Sequence, residues 1–176
     1  MKFDALKISL SDIQNIDILS AAESLVLSFA QKGKTLSSAE SCTGGLFGSF
    51  ITEISGASAV YLGGVISYTN EVKKALLGVS EATLFEYTAV SEFVACEMAR
   101  GVKKALGSDF SVSVTGYAGP TGGDAKNPVG TVFVCISSGD GERVTKLSFE
   151  EGISRKNIRE YAVYFMISEL TGFVCA

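Results

Sequence analysis

Ser41 lies in a segment whose residue types suit nucleophilic chemistry, Ala39-Glu40-Ser41-Cys42-Thr43-Gly44-Gly45. The β-branched and hydroxyl residues before it predict a strand over 35–39, and the helical spacing of apolar residues after it predicts a helix over 43–53. Unpaired N–H groups and the dipole at a helix N-terminus would stabilise an anion or an oxyanion at this turn. The alternative is a plain strand–helix turn with Ser41 or Thr43 as the N-cap.

The chain contains no histidine, and this absence limits which base could activate a serine. Ser-His-Asp and Cys-His catalysis within one subunit are excluded, as are zinc sites built on paired histidines. A partly buried lysine near positive potential is then the available neutral base. Lys73 fits this role, because it lies in the first turn of a predicted helix that follows a strand ending at Tyr68. Tyr68 could relay a proton or hold the hydroxyl in place. The alternatives are a solvated surface lysine and an aromatic residue at the rim of the core.

A glycine-rich stretch over 116–123, Gly116-Tyr117-Ala118-Gly119-Pro120-Thr121-Gly122-Gly123, follows a predicted strand. Its glycines permit backbone geometry in which successive N–H groups point inward, which suits a phosphate or a carboxylate. The Walker A pattern of nucleotide-binding loops is absent. The alternative is a long hairpin-like connection.

Three further side chains allow two interpretations each. Arg155 and Arg159 lie one helical turn apart and could bind an anion, but Glu151 and Glu160 make an ordinary ion-pair face an equal alternative. Cys42 is a rival nucleophile beside the serine, since a helix N-terminus would lower the pKa of its thiol. Its alternative is a small buried residue.

Composition sets the class of protein. The 176 residues are 47% hydrophobic and carry a net charge of −4, and no Lys/Arg-rich block or membrane-length apolar stretch appears. We therefore expect a protein with neither nucleic acid nor a membrane as partner. The four cysteines are scattered, and the N-terminus lacks a basic region followed by an apolar core, so we expect a cytoplasmic location and no secretory leader. The low charge and the many apolar residues allow a homodimer.

Predicted strands alternate with predicted helices along the chain and end in one hairpin. Strands are predicted over 60–68, 110–115, 131–136 and 143–149, and helices over 18–31, 71–77, 80–87, 91–106 and 154–170. This order indicates an α/β fold: a three-layer α/β/α sandwich with a mixed, mostly parallel sheet and one antiparallel hairpin. Ligands of such sheets bind at the strand ends, where three loops (41–45, 68–74 and 116–123) would meet. We interpret residues 1–17 as an N-terminal arm or capping strand and 18–176 as a single domain.

Several uncommon motifs, in order, resemble the CinA C-terminal domain family, the nicotinamide-nucleotide amidases. The first is the segment around Ser41. The others are Gly64-Val65-Ile66-Ser67-Tyr68-Thr69-Asn70-Glu71-Val72-Lys73, Ala89-Val90-Ser91-Glu92, Thr115 to Gly123, and Pro128-Val129-Gly130-Thr131-Val132. The resemblance covers about residues 21–170.

The resemblance implies hydrolysis of the carboxamide of nicotinamide mononucleotide to nicotinic acid mononucleotide and ammonia, as in pyridine nucleotide (NAD) salvage, without a metal or other cofactor. By motif, the family's catalytic serine, lysine and tyrosine fall on Ser41, Lys73 and Tyr68. The serine would attack the amide carbon while the lysine acts first as base and then as acid. The substrate-binding residues implied by the same motifs are Cys42, Thr43, Gly44, Gly45, Asn70, Thr115, Gly116, Ala118, Gly119, Gly122 and Gly123.

The chain departs from the family pattern without losing a catalytic position. Phe93 stands where many relatives have proline, and Tyr117 stands where smaller or aliphatic residues are common. The larger N-terminal domain that some relatives carry is missing from this sequence. The alternative function is a non-catalytic nucleotide- or phosphate-binding module, which a protonated Lys73 far from Ser41 would favour. An interaction protein is a third hypothesis that no residue supports.

Overall fold

The computed structural model describes residues 1–175, which form six strands, seven α-helices and one short 3-10 helix (Ala57–Ala59). The strands are β1 (Lys2–Ile8), β2 (Leu36–Glu40), β3 (Tyr61–Ile66), β4 (Phe110–Gly116), β5 (Thr131–Ser138) and β6 (Gly141–Phe149). The helices are α1 (Leu10–Ile13), α2 (Ile18–Lys32), α3 (Leu46–Thr52), α4 (Asn70–Leu77), α5 (Glu81–Tyr87), α6 (Glu92–Leu106) and α7 (Arg155–Cys175).

All strands lie in one sheet with the order β1-β6-β5-β4-β2-β3. The pairs β1/β6, β2/β3 and β2/β4 are parallel, whereas β5 runs antiparallel to both of its neighbours, β4 and β6. The predicted hairpin is therefore β5–β6, and the predicted mixed, mostly parallel sheet is confirmed. Because β2, β3 and β4 run in the same direction, their carboxyl ends share one edge of the sheet.

Helices cover both faces of the sheet. On one face α2, α3 and α7 pack together, and their apolar side chains form the main core with alternate residues of β2, β4, β5 and β6. On the other face α6 packs across the sheet with α4 and α5 beside it. Val94, Met98 and Val102 of α6 are fully buried there. The three-layer α/β/α architecture is thus confirmed.

Most helix ends have the predicted caps. The side chains of Thr69, Ser80 and Ser91 accept N–H groups at the starts of α4, α5 and α6. Gly33 and Gly78 end α2 and α4 in the left-handed conformation, which favours a residue without a Cβ. The last helix extends five residues beyond its predicted end, from Leu170 to Cys175.

The N-terminal residues interpreted as an arm or capping strand include a strand of the sheet. Residues 2–8 pair in parallel register with β6, from Lys2 beside Arg143 to Ile8 beside Phe149. Ile8 is buried in the main core, whereas Lys2, Phe3 and Leu6 are exposed. The boundary between an arm at 1–17 and a domain at 18–176 stays a prediction.

Candidate active site

Ser41 follows directly on the last residue of β2. Its N–H donates to the carbonyl oxygen of Val114 on the neighbouring strand at 3.0 Å, so that the backbone at the nucleophile is fixed to β4. The chain then turns through Cys42, Thr43 and Gly44, and α3 begins at Leu46, three residues after the predicted start. Ser41 itself is only 8% exposed.

The N-terminus of α3 is capped by the carboxylate of Glu40. This buried side chain accepts the N–H groups of Gly45, Phe47 and Gly48, each at 3.1 Å. The N-cap residue is Gly45, with φ 95° and no side chain to cap with, so the alternative of a plain turn capped by Ser41 or Thr43 is wrong. The carboxylate occupies the position at which a free helix N-terminus would attract an anion, so this terminus is not open to a ligand.

Lys73 reaches Ser41 from α4. Its Nζ lies 3.0 Å from Ser41 Oγ and donates to the carbonyl oxygen of Ser67 at 2.6 Å. The lysine is 1% exposed, so the interpretation as a solvated surface lysine is wrong. Burial lowers the pKa of Lys73 from its usual 10.5 to about 8, because an ammonium group loses hydration there. About a tenth of the amine is therefore neutral at pH 7, and about half at pH 8.

The thiol of Cys42 is not activated as a nucleophile. The residue is 5% exposed, and burial raises the pKa of its thiol to about 11. The expectation of a lowered pKa fails, because the desolvation of the thiolate outweighs the attraction of Lys73 and Arg155. Cys42 thus fits the alternative of a small buried residue that stays protonated.

A cavity of about 260 Å³ opens beside the Ser41–Lys73 pair. It is lined by Ser41, Cys42, Tyr68, Lys73, Ala89, Val90, Thr115, Gly116, Tyr117, Ala118, Gly119, Thr121 and Arg155. The three loops predicted to meet at one sheet edge therefore do meet. Six residues implied by the family motifs lie outside this lining: Thr43, Gly44, Gly45, Asn70, Gly122 and Gly123. A substrate-binding role for these six stays a prediction.

Two of the turn residues outside the lining have their N–H groups occupied. The N–H of Gly44 donates to the carbonyl oxygen of Ser41 at 3.2 Å, and that of Gly45 donates to Glu40. By contrast, the N–H groups of Cys42 and Thr43 donate to no acceptor within residues 1–175. The backbone donors that remain for an oxyanion at this turn are thus the N–H groups of Cys42 and Thr43.

The glycine-rich loop forms the opposite wall. Its base is fixed where Tyr117 bonds with Thr131 and Gly130 through the backbone, at 2.8 and 2.7 Å. Beyond this base, five backbone N–H groups of the loop have no acceptor in the described part of the chain, namely those of Ala118, Gly119, Thr121, Gly122 and Gly123. Gly119, Gly122 and Gly123 have φ values of 73°, 97° and 84°, which residues with a Cβ rarely adopt.

Polar and aromatic side chains complete this wall. Thr115 is 1% exposed and donates its hydroxyl to the carbonyl oxygen of Ala89 at 2.7 Å. The ring of Tyr117 is half-buried and packs toward Gly122, where a Cβ would come within 3.3 Å of the ring. The cavity therefore has an aromatic surface on the loop side and the hydroxyl of Ser41 on the other side.

Two arginines of α7 join the loops, and neither forms the ion-pair face considered as an alternative. Arg155 donates to the carbonyl oxygen of Gly119 at 2.7 Å and lies 3.5 Å from the hydroxyl of Tyr68 at the cavity rim. Tyr68 is 63% exposed, so its hydroxyl is accessible from the cavity mouth. Arg159 donates to the carbonyl oxygens of Cys42 and Thr43 at 3.1 and 2.8 Å.

Sequence reasoning missed the roles of Glu40 and Arg159. Glu40 stood inside the motif, but a strand residue that caps the next helix has no distinctive spacing signal. Arg159 lies 116 and 117 residues from its two partners, so only the packing of α7 brings them together. The one available signal for Arg159 was its spacing from Arg155, which the sequence interpretation used for anion binding instead.

Residues 1–175 contain neither a side-chain cluster suited to a metal ion nor a helix suited to crossing a membrane. No group of three or more carboxylate or cysteine side chains is arranged there to hold a metal ion. Among the helices of these residues, none combines the length and apolarity that crossing a membrane requires.

The fold and the site together define an α/β/α sandwich domain with a buried serine–lysine pair at the carboxyl ends of parallel strands. The family model of the CinA C-terminal domain matches residues 19–174. A CinA-like protein of Pseudothermotoga lettingae is 40% identical over 154 residues, which are 86% of this chain and 38% of that protein. One of Microcystis aeruginosa is 47% identical over 138 residues, which are 78% of this chain and 33% of that protein. The chain belongs to the CinA C-terminal domain family.

Solved structures agree with this assignment. The competence/damage-inducible protein CihA of Agrobacterium tumefaciens is 38% identical, with a TM-score of 0.86 over 90% of this chain and 96% of that one. A CinA superfamily protein of Klebsiella pneumoniae is 28% identical, with a TM-score of 0.87 over 91% of this chain and 99% of that one. The chain spans about a third of the length of the two CinA-like relatives described above, 38% of the first and 33% of the second.

Proposed function

We propose that this domain hydrolyses the carboxamide of nicotinamide mononucleotide to nicotinic acid mononucleotide and ammonia, with Ser41 as nucleophile and Lys73 as base. The observation that carries the proposal is the 3.0 Å distance between Lys73 Nζ and Ser41 Oγ at the wall of a cavity. A neutral amine at hydrogen-bond distance from a serine hydroxyl is what general-base activation requires in a protein without histidine.

In the acylation step Lys73 takes the hydroxyl proton as Ser41 Oγ attacks the amide carbon. The oxygen of the tetrahedral intermediate is stabilised by the free N–H groups of Cys42 and Thr43. Arg159 supports this arrangement, because it binds the carbonyl oxygen of Cys42 and so fixes the peptide plane that carries the N–H of Thr43. The plane that carries the N–H of Cys42 is fixed by the bond from Gly44 to the carbonyl oxygen of Ser41. Lys73 then returns the proton to the leaving nitrogen, and ammonia departs.

The remaining step is hydrolysis of the acyl-enzyme by water. Lys73, neutral again after ammonia leaves, takes a proton from the water as its oxygen attacks the ester carbon. The ester bond to Ser41 Oγ breaks, the serine regains a proton from Lys73, and the carboxylate product leaves. The carbonyl oxygen of Ser67 holds the lysine in one position throughout, at 2.6 Å from Nζ.

The opposite wall supplies recognition of a nucleotide. The unpaired N–H groups of the glycine-rich loop and the guanidinium of Arg155 offer donors and positive charge for a phosphate. The half-buried ring of Tyr117 offers an aromatic face against which a pyridine ring can stack. The three features suit a ligand with one planar ring and one anionic group.

The test is ammonia release from nicotinamide mononucleotide by the purified chain, with EDTA present, compared between wild type and Ser41→Ala. We expect release by wild type and a loss of at least about a thousandfold in the variant, because the attacking group is gone. Ser49→Ala is the matched control, since Ser49 is an exposed serine of α3 outside the cavity lining. Its rate should equal that of wild type.

The outcome also separates the proposal from its alternative. A folded wild type that binds the nucleotide without releasing ammonia would contradict the enzyme and leave a nucleotide-binding module. That alternative would be favoured by a protonated Lys73 distant from Ser41. The short distance and the lowered pKa of Lys73 both favour the enzyme.

A further inference from the structure

The residues between α5 and α6 form part of the cavity wall in a strained backbone conformation. Ala89 and Val90 line the cavity. Thr88, directly before them, has φ 64° and ψ 172° and is the only residue other than glycine among residues 1–175 with a positive φ. A β-branched side chain disfavours this conformation, because the substituents on its Cβ crowd the adjacent backbone. Such a conformation persists only where the surrounding contacts hold it.

Three side chains hold this segment by donating hydrogen bonds to its consecutive carbonyl oxygens, those of residues 88, 89 and 90. The donors, in the same order, are Ser91, Thr115 and Asn127, at 3.2, 2.7 and 3.0 Å. They come from the residue before α6, the end of β4 and the residues after the glycine-rich loop. The segment is therefore fixed from three parts of the fold.

Asn127 differs from the other two donors because both ends of its amide have a partner. Its Nδ2 donates to the carbonyl oxygen of Val90, and its Oδ1 accepts from Nζ of Lys146 at 3.1 Å. A reversed amide would place its NH₂ group against the ammonium and its oxygen against a carbonyl oxygen, so the two partners select one orientation. The residue is 3% exposed, so the loss of either partner would leave a buried polar atom without a hydrogen bond.

The backbone of Asn127 anchors the outer arm of the glycine-rich loop. Asp124 accepts the N–H groups of Lys126 and Asn127 at 2.8 and 2.7 Å, and its own N–H donates to the carbonyl oxygen of Asn127 at 2.9 Å. This closed turn directly follows Gly123, where a Cβ would come within 2.7 Å of the backbone nitrogen of Val129. The outer arm of the loop therefore lies directly against the part of the chain that carries Asn127.

We propose that Asn127 is a positioning residue of this site: its amide joins the segment 88–90 to the glycine-rich loop and so fixes two lining surfaces of the cavity relative to each other. This inference rests on the proposed function, because it takes the cavity to bind the nucleotide. Asn127 lies outside the cavity lining and acts through the backbone of its neighbours. The side chains of Ser41 and Lys73 bond to each other and to Ser67 instead. The affinity for the nucleotide should therefore depend on Asn127, and the chemical step should not.

The test is the steady-state kinetics of ammonia release from nicotinamide mononucleotide, together with the dissociation constant of nicotinic acid mononucleotide by calorimetry. Asn127→Asp keeps the size of the side chain and an acceptor for Lys146, but it places an oxygen against the carbonyl oxygen of Val90. We expect KM and the dissociation constant to rise at least about tenfold, while kcat changes less than about threefold.

Ser111→Ala is the matched control for a loss of stability alone. It removes a buried bond of the same kind, from the Ser111 hydroxyl to the carbonyl oxygen of Ala99 at 2.7 Å, and both residues lie outside the cavity lining. This variant should lower the melting temperature and leave KM unchanged. A rise in KM equal to that of Asn127→Asp would show that any destabilisation weakens binding and would overturn the proposal.

A double variant tests whether Asn127 acts through the strained segment. Thr88→Gly removes the strain, so the segment needs fewer bonds to keep its conformation. Combined with Asn127→Asp, it should lower KM at least about threefold relative to Asn127→Asp alone. An unchanged KM in the double variant would overturn the role of the strained segment.

Lys146→Met is a second probe of the same amide, in case Asn127→Asp does not fold. It removes the ammonium that orients the amide and should raise KM and the dissociation constant about threefold. Circular dichroism spectra and melting temperatures establish that each variant is folded. Wild-type values of both quantities in the folded variants would overturn the role of Asn127 and leave the proposed function intact.

The wild type separates a failure of this inference from a failure of the proposed function. A wild type that binds the nucleotide without releasing ammonia would contradict the amidase only, and the dissociation constants of the variants would then decide the role of Asn127. A wild type that neither binds nor hydrolyses the nucleotide would overturn both proposals.

Discussion

The two walls of the cavity differ in how many of their backbone groups are hydrogen-bonded within the protein, although the N–H groups of Cys42 and Thr43 are unpaired among residues 1–175 on the Ser41 side. On the Ser41 side, the N–H of Ser41, Gly44 and Gly45 and the carbonyls of Cys42 and Thr43 all have partners inside the protein. On the loop side, the N–H groups of Ala118, Gly119, Thr121, Gly122 and Gly123 have none among residues 1–175. The first wall is pre-organised for a reaction, and the second keeps its donors available for a ligand.

This difference implies that changes on the two walls should affect different measured quantities. A change on the Ser41 side should alter the rate of the chemical step or the stability of the fold. A change on the loop side should alter the Michaelis constant. Three predictions follow from this division, beginning with the largest effect.

The pH dependence of catalysis should follow the protonation state of Lys73. The amine must be neutral to act as a base, and its pKa is lowered to about 8, so kcat/KM should rise by about 50-fold from pH 6 to pH 8 and level off above about pH 9. The measurement is ammonia release across this range. The dissociation constant of nicotinic acid mononucleotide, measured at each pH, is the control for changes in binding. A rate that stays flat or falls between pH 6 and pH 8 would show that Lys73 is not the base.

Glu40→Gln should lower the stability of the turn that follows Ser41 without changing the glycine-rich loop. An amide has one acceptor oxygen in place of two and turns an NH₂ group toward an N–H donor, so at least one of the three bonds to Gly45, Phe47 and Gly48 is lost. We expect a loss of about 2 kcal/mol in the free energy of unfolding, measured by urea denaturation. Glu81→Gln, at an exposed carboxylate of α5, should change stability by less than about 0.5 kcal/mol. Equal stability of Glu40→Gln and wild type would refute the capping role.

Arg155→Gln should have the smallest effect and should appear in the Michaelis constant. Loss of a charged donor to the phosphate is expected to raise KM about tenfold while kcat changes less than about threefold. The neighbouring Lys156 pairs with Glu160 and lies outside the cavity lining, so Lys156→Gln is the control and should match wild type. A fall in kcat with an unchanged KM would place Arg155 in the chemical step instead.

The sequence was sufficient to predict that Ser41, Lys73 and the glycine-rich loop lie close together. Their proximity could be predicted from the direction of the strands alone, because parallel strands bring their carboxyl ends to one edge of the sheet whatever their side chains are. The fold class and most helix ends were predicted for a similar reason, since caps such as Ser91 and Gly33 act within a few residues of their own position.

The contacts that the sequence did not reveal depend either on the exact geometry of a turn or on packing between distant parts of the chain. The capping of α3 by Glu40 requires the exact turn between β2 and α3, in which three residues precede the helix rather than belong to it. Arg159 reaches Cys42 and Thr43 only because α7 packs on the same face as α3. The strand β1 was uncertain because its residues lack the alternation that a half-buried strand displays.

The dependence of the Ser41 turn on α7 has a consequence for the order in which the protein is made. A ribosome synthesises the N-terminal part first, at about 5–20 residues per second, so Ser41 and Lys73 emerge well before Arg155 and Arg159. A nascent chain that ends before residue 155 already carries the nucleophile and the base but lacks both guanidinium groups. The proposed hydrolytic centre is therefore completed only after translation has passed α7 and this helix has folded onto the sheet.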